Sequence, residues 1–327
     1  MIITAENLGF WVKLKKPILA VAPMADITNS PFRQIIAAKG RPTVFFNEFV
    51  SADGLCSKGK NNLMPLLKFT ESERPIVAQL FGSKPENFYQ AAKILVQLGF
   101  DGIDINMGCP FKKIEKQGAG AALIKNPKLA QKIILEAKLG AKKIPVSVKT
   151  RIGYNQEAVS KWIPEILKAN PAVITLHGRT RNEKSEVPTH WGVIGKAAKI
   201  VRKSKKATLI MGNGDISNME MAKIYSKKYG LDGVVIGRAV LKNPWFFSEK
   251  GLDSVSIEER LATLIDHVKL FNNFYQNKKN FHDLRKFYAA YLSGFNGAKK
   301  LRMQLMPAEN AKEIAKVVAF FIAENKV

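Results

Sequence analysis

The stretch Val173–Ala239 opens on VITLHGRT (Val173–Thr180), passes through TLIMGNGD (Thr208–Asp215) and ends on VVIGRA (Val234–Ala239). Each apolar run is only three or four residues long, is rich in β-branched side chains and stops at a polar residue or glycine, which reads as a strand. The segments between them, Trp191–Lys203 and Asn218–Tyr229, carry helical spacing. The runs are apolar at successive rather than alternate positions, so both faces of each strand are buried, as in a parallel sheet.

The same signature extends towards the N-terminus. Apolar runs recur at Ile18–Ala22, Thr43–Phe46, Ile76–Leu80, Gly102–Ile105 and Val146–Val148, with helical patterns at Pro85–Leu98, Pro127–Leu139 and Glu157–Lys168. Eight strand–helix units in about 250 residues predict a TIM (β/α)8 barrel; an open doubly wound sheet, the alternative, normally uses fewer strands. After Leu252 no strand-like run is found. Ser256 followed by Glu258 and Glu259 reads as a helix N-cap with an acidic first turn. We therefore expect a barrel domain over 1–252 and a small all-helical domain over 253–327.

Composition bounds the function. The 327 residues are 46% hydrophobic and 24% charged, enough for a large core and too ordered a composition for a disordered chain. Lys and Arg total 52 against 27 Asp and Glu, a net charge of +25 with a pI near 9.9. Such an excess points to a polyanionic partner, nucleic acid first, although 41 of the 52 cations are Lys, a bias that a compositional habit would also produce. The two cysteines, Cys56 and Cys109, form no CxxC pair, which excludes a zinc module and predicts no metal. They fit a reducing, cytoplasmic compartment. Lys13, Lys15 and Lys16 precede a short apolar run broken by Pro23, which reads as a first strand rather than a signal peptide. No apolar stretch reaches the ~20 residues of a membrane span, so a soluble protein without a membrane partner is expected.

A barrel collects its chemistry at the C-terminal ends of its strands. The residues there are Pro23 and Met24, Glu48, Gln79, Asn106, Lys149, His177, Asn213, and Gly237 with Arg238. One such residue is ordinary capping; a ring of Gln, Asn, Lys, His, Asn and Arg suggests a site. GNGD (Gly212–Asp215) and IGR (Ile236–Arg238) each join a strand to a helix. Their glycines let backbone N–H groups approach a phosphate and Arg238 adds a charged fork, at the two loops where barrels commonly bind phosphate. Common βα-turn chemistry uses the same residues. Cys109 follows the fourth run in DINMGCP (Asp104–Pro110), beyond the apolar stretch, in a segment rich in Gly and Lys that reads as a mobile lid. Cys56 has no such setting and is read as structural.

These residues also carry a resemblance. APMADITNSPFR (Ala22–Arg33), DINMGCP, VKTRIG (Val148–Gly153), LHGRT (Leu176–Thr180), NGD and IGRA together resemble the tRNA-dihydrouridine synthases, bacterial members above all, across about residues 17–245. HDLRKFYAAYLSGFNGAKKLR (His282–Arg302) is more loosely similar to the helical domain of that family. The resemblance implies FMN in a TIM barrel, NADPH as electron donor and reduction of the C5=C6 bond of uridine in the tRNA D-loop. It places the flavin ring against Pro23 and Met24, with Gln79, Lys149 and His177 at its polar edge. It places the FMN phosphate between Asn213, Gly214, Gly237 and Arg238, with Asp215 also among the cofactor-binding residues. It makes Cys109 the proton donor, with Asn106, Lys149 and Arg151 on the uracil.

Residues 256–327 hold 12 Lys or Arg and 7 Asp or Glu, so the tail is no more basic per residue than the barrel. Within it, Lys278, Lys279, His282, Arg285 and Lys286 are spaced to share one helix face, and Lys299, Lys300 and Arg302 form a second cluster; Lys279, His282, Arg285, Lys286, Lys299, Lys300 and Arg302 are the expected tRNA contacts. Phe281, Phe287, Tyr288 and Tyr291 are expected in the core of the domain. A free-pyrimidine oxidoreductase resembling dihydroorotate dehydrogenase is a competing reading, and a non-catalytic RNA-binding barrel another. A monomer is expected.

Overall fold

The computed structural model describes residues 5–248, 251–276 and 278–325. Nine parallel strands form one sheet: β1 (Ile18–Val21), β2 (Phe45–Phe46), β3 (Val50–Ser51), β4 (Ile76–Phe81), β5 (Gly102–Met107), β6 (Val146–Arg151), β7 (Val173–His177), β8 (Leu209–Asn213) and β9 (Gly233–Ile236). Their order is β1-β9-β8-β7-β6-β5-β4-β2, with β3 also on β4. A parallel bridge from Ala20 to Val44 closes the ring, so β2 and β3 share one stave and the staves number eight. The TIM barrel expected from eight apolar runs is the fold observed.

Alternation along each strand divides the barrel interior chemically. Ala20, Ala22, Phe46, Val77, Met211 and Val235 pack as an apolar cluster, closed below by Leu8 and Trp11 from the 3-10 helix Ala5–Lys13. The interior also holds polar side chains contributed by β4 to β7: Gln79, Asp104, Ser147 and Thr175 are all essentially inaccessible to solvent. Burying polar groups there is affordable only because most of them are hydrogen-bonded to one another.

Two helix ends lie two residues from expectation. The helix expected from Glu157 begins at Val159, because Glu157 is held in a turn by a bridge to Gly153 and its carboxylate accepts from the Val159 N–H at 2.7 Å. The helix expected to stop at Leu139 continues to Ala141.

Contacts divide the chain into Met1–Thr28 with Thr43–Gly237, and Asn29–Pro42 with Arg238–Val327. The second unit thus begins before the 252/253 boundary and recruits the helix Ser30–Lys39. The reason is aromatic packing within that unit: Phe32 lies 5.5 Å from His267 and 4.8 Å from Phe287, ring centre to ring centre. Lys39 also pairs with Glu259 at 3.3 Å. Ser256 caps the helix Ile257–Tyr275 through its hydroxyl, as expected. Phe287, Tyr288 and Tyr291 are buried in the core of the unit, and Tyr291 Oη lies 2.9 Å from His267 Nδ1. No helix among the described residues is long and apolar enough to cross a membrane.

Candidate active site

At the C-terminal end of the barrel, β5 runs on to Met107, so Asn106 is a strand residue rather than a loop residue. Its amide is engaged on both sides. Asn106 Nδ2 donates to Gln79 Oε1 at 2.9 Å, and Asn106 Oδ1 accepts from the N–H groups of Gly108 (3.1 Å) and Cys109 (2.9 Å). Gln79 Nε2 donates to Asp104 Oδ2 at 2.6 Å, and Ser147 Oγ to Asp104 Oδ1 at 2.6 Å. Burial pushes the Asp104 carboxyl up to about 6, against the lowering by these two donors and by Lys149.

Cys109 is 7% exposed and packs with Ile114 and Ala119. The expected lid is therefore a folded elbow, with a helical turn at Lys112–Glu115 and a 3-10 helix at Gly120–Lys125. Glu115 pairs with Arg181 beyond β7, so the segment is tied down by charge as well as by packing. Burial raises the thiol above its ordinary value while Arg151 and Lys149 pull it down, so near neutral pH Cys109 is a protonated thiol. Cys56, read as structural, is instead exposed, its thiol 3.5 Å from the Asn87 carbonyl oxygen.

Lys149 lies in register with Asn106 on one side and Thr175 on the other. Burial, then the charge of Arg151, lower it to about 8, while Asp104 and Cys109 pull upward. Arg151 is committed to the scaffold. Its Nε donates to the Gly108 carbonyl at 2.7 Å and its Nη1 to those of Thr180 and Lys184, each at 3.0 Å. It clips the loops after β5 and β7 together, and only its Nη2 is left for a substrate.

His177 ends β7 half-buried, with its Nε2 3.3 Å from Arg179 Nη1. Asn213 Nδ2 donates to the Val235 carbonyl at 2.7 Å. Gly214 has φ +133°, and a Cβ there would strike Thr189 Oγ1 at 2.5 Å, so glycine is required by the protein itself. Asp215 is bound to Arg179 and accepts from Thr189 Oγ1 at 2.9 Å, a structural commitment where the sequence suggested a cofactor contact. Gly237 is different: a Cβ would meet Met24 Sδ at 3.7 Å and Ala22 Cβ at 3.8 Å, ordinary contacts. Packing does not demand glycine there, and its absent side chain leaves a recess beside Met24. Arg238 follows as the exposed first residue of the helix Arg238–Lys242. The recess at Gly237 and the buried, unpartnered Thr175 hydroxyl beside Lys149 are features that a bound flavin phosphate and ring would use, so the residues present fit such a group.

Sequence reasoning passed over Asp104, Ser147, Thr175 and the Glu115–Arg181 pair. The signal for Asp104 was there: it lies two positions before Asn106 on one strand, hence on the same face. No group of three or more His, Cys, Asp or Glu placed to hold a metal occurs among the described residues.

The tail does not form the single basic helix face expected. Asn280 caps a new 3-10 helix, Phe281–Phe287, which leaves Lys279 outside it. Lys279 instead lies 5.1 Å from the Tyr275 ring centre and 3.9 Å from Asp283. His282 and Arg285 are partly buried, Lys286 is exposed, and the Arg285 Nε is enclosed without a hydrogen bond. Lys299 and Lys300 are exposed on the helix Ala298–Leu305, whose Arg302 holds the Leu292 carbonyl at 2.8 Å.

Residues 20–325 match the family described as Dihydrouridine synthase (Dus). The probable tRNA-dihydrouridine synthase 2 of Bacillus subtilis (strain 168) is 39% identical over 309 residues, 94% of either chain. The probable tRNA-dihydrouridine synthase of Staphylococcus aureus (strain COL) is 37% identical over 319 residues, 97% of this chain and 96% of that one. Among solved structures, a 2-naphthoyl-CoA reductase in complex with 2-naphthoyl-CoA superposes with a TM-score of 0.56 at 11% identity, over 75% of this chain and 52% of that one. A morphinone reductase variant in complex with tetrahydroNAD superposes at 0.50 and 12% identity, over 73% and 87%. These two speak for the barrel fold alone. With a family match over nearly its whole length, the chain belongs to the dihydrouridine synthase family.

Proposed function

We propose that this protein reduces the C5=C6 bond of uridine in tRNA to 5,6-dihydrouridine, using FMN as cofactor and NADPH as electron donor. The observation that carries the reading is the buried Cys109, its backbone N–H held by Asn106 Oδ1 and its thiol close enough to Lys149 to feel that charge, where burial keeps it raised and so protonated near neutral pH. The proposed FMN site takes Pro23, Met24, Gln79, Lys149 and His177 on the ring and Asn213, Gly214, Gly237 and Arg238 on the phosphate. Bound, reduced FMN supplies the hydride that C6 receives. Charge then developing at C5 spreads onto the carbonyl at C4, where the Lys149 ammonium stabilises it. The Cys109 thiol donates its proton to C5, and the thiolate is reprotonated from solvent. The target nucleotide has to leave its stack to reach these groups.

Removing the thiol tests this directly. Cys109→Ala should bind FMN and be reduced by NADPH normally, while dihydrouridine formation falls by about two orders of magnitude or more, as loss of a general acid implies. Normal tRNA reduction by Cys109→Ala, alongside loss in Cys56→Ala, would overturn the assignment.

A further inference from the structure

We propose that Asp104 is a positioning residue that sets the Cys109 loop through the side-chain amides of Gln79 and Asn106. The relay has one direction. An ionised carboxylate only accepts, so Gln79 must present Nε2 to Asp104 Oδ2, at 2.6 Å. Its Oε1 then faces Asn106, which must answer with Nδ2, at 2.9 Å. That leaves Asn106 Oδ1 for the N–H groups of Gly108 and Cys109. Backbone N–H groups only donate, so the chain is fixed at both ends and neither amide can turn over without setting like against like. Asp104 is held in its turn by Ser147 Oγ, and the Gln79 backbone N–H by Asn47 Oδ1 at 2.8 Å. Asp104, Gln79 and Ser147 are at most 1% exposed, so water cannot substitute for a lost partner.

The geometry is independent of the reaction; its bearing on catalysis rests on the uridine-reduction reading. The test therefore reads the loop and not turnover. In the purified full chain, the rate of Cys109 alkylation by iodoacetamide is followed by peptide mass, with exposed Cys56 as internal reference. Gln79→Glu keeps the acceptor for Asn106 and, with labelling carried out at about pH 9 so that both carboxyls are ionised rather than sharing a proton, can no longer donate to Asp104. It should speed Cys109 labelling about tenfold, the scale of one buried polar group left unpaired, and leave Cys56 unchanged. Electrostatics alone would act the other way, since an added carboxylate raises a thiol pKa and slows alkylation. Adding Asp104→Asn to Gln79→Glu restores a donor–acceptor pair of reversed polarity with the original net charge, and should return labelling towards the unmodified rate. Unchanged labelling in Gln79→Glu, or no recovery in the double variant, overturns the proposal. If Gln79→Glu fails to fold, amide hydrogen exchange of the unmodified protein decides: the Gly108 and Cys109 amides should be protected, and exchange at the rate of an open loop would overturn it. Dihydrouridine formation at the unmodified rate by Cys109→Ala would remove Cys109 as the proton donor and leave the relay standing.

Discussion

Lys149 is the residue on which the pH dependence turns. Burial beside Arg151 lowers it to about 8, and in the proposed reaction its charged form is the one that stabilises the developing negative charge. The protonated fraction falls as pH rises through that value, so kcat/KM for tRNA should decline above about pH 8, while the raised Cys109 thiol is still protonated. A pH–rate profile checks this: a rate flat to pH 9.5 would remove Lys149 from the charge-stabilising role. Lys149 and Cys109 were legible as residues following apolar runs. Arg151 was legible only as a charge, because one sequence cannot show that its donors are taken by the carbonyls of Gly108, Thr180 and Lys184. Asp104 was quoted within DINMGCP and passed over, since a carboxylate inside a barrel acquires meaning only when its neighbours across strands are known.

At the scale of the element, the eight staves were legible because each apolar run has the same physical cause, burial on both faces, and each ends where the barrel mouth admits polar groups. The helix Ser30–Lys39 was not: its pattern suits a barrel helix equally well, and its place with the C-terminal helices depends on Phe32 meeting His267 and Phe287, residues more than 200 positions away. The two glycine loops read alike in sequence and differ in structure. Gly214 serves the backbone, whereas Gly237 leaves room that the protein does not fill. Gly237→Ala should therefore fold with an unchanged apoprotein Tm and lose FMN on dialysis, and Arg238→Ala should weaken retention by about 1.5–3 kcal/mol, the scale of a charge-assisted contact. Flavin absorbance after dialysis measures both; full retention in both variants would remove the phosphate from this position.

Across the whole molecule the charge of +25 is the dominant feature, and its use is a question of where phosphates are met. In the helical unit Lys299 and Lys300 are exposed, while Lys279, His282 and Arg285 are partly buried among their neighbours. Lys299→Glu with Lys300→Glu should weaken tRNA binding and flatten its salt dependence by about 0.7–0.9 per lost phosphate contact, with flavin reduction by NADPH unaffected. Filter binding across a salt series gives the slope. An unchanged slope would move the contact to the barrel, where Lys199, Lys203, Lys227 and Lys228 line a groove between the helices Trp191–Lys203 and Met219–Lys228. The central claim, that this barrel reduces uridine within tRNA, is tested most directly by reducing the flavin-loaded protein with NADPH and mixing it anaerobically with unmodified tRNA. The expected result is that tRNA reoxidises the flavin and that a D-loop uridine gains two hydrogens by mass; a flavin that stays reduced with tRNA and is reoxidised by orotate would contradict uridine reduction.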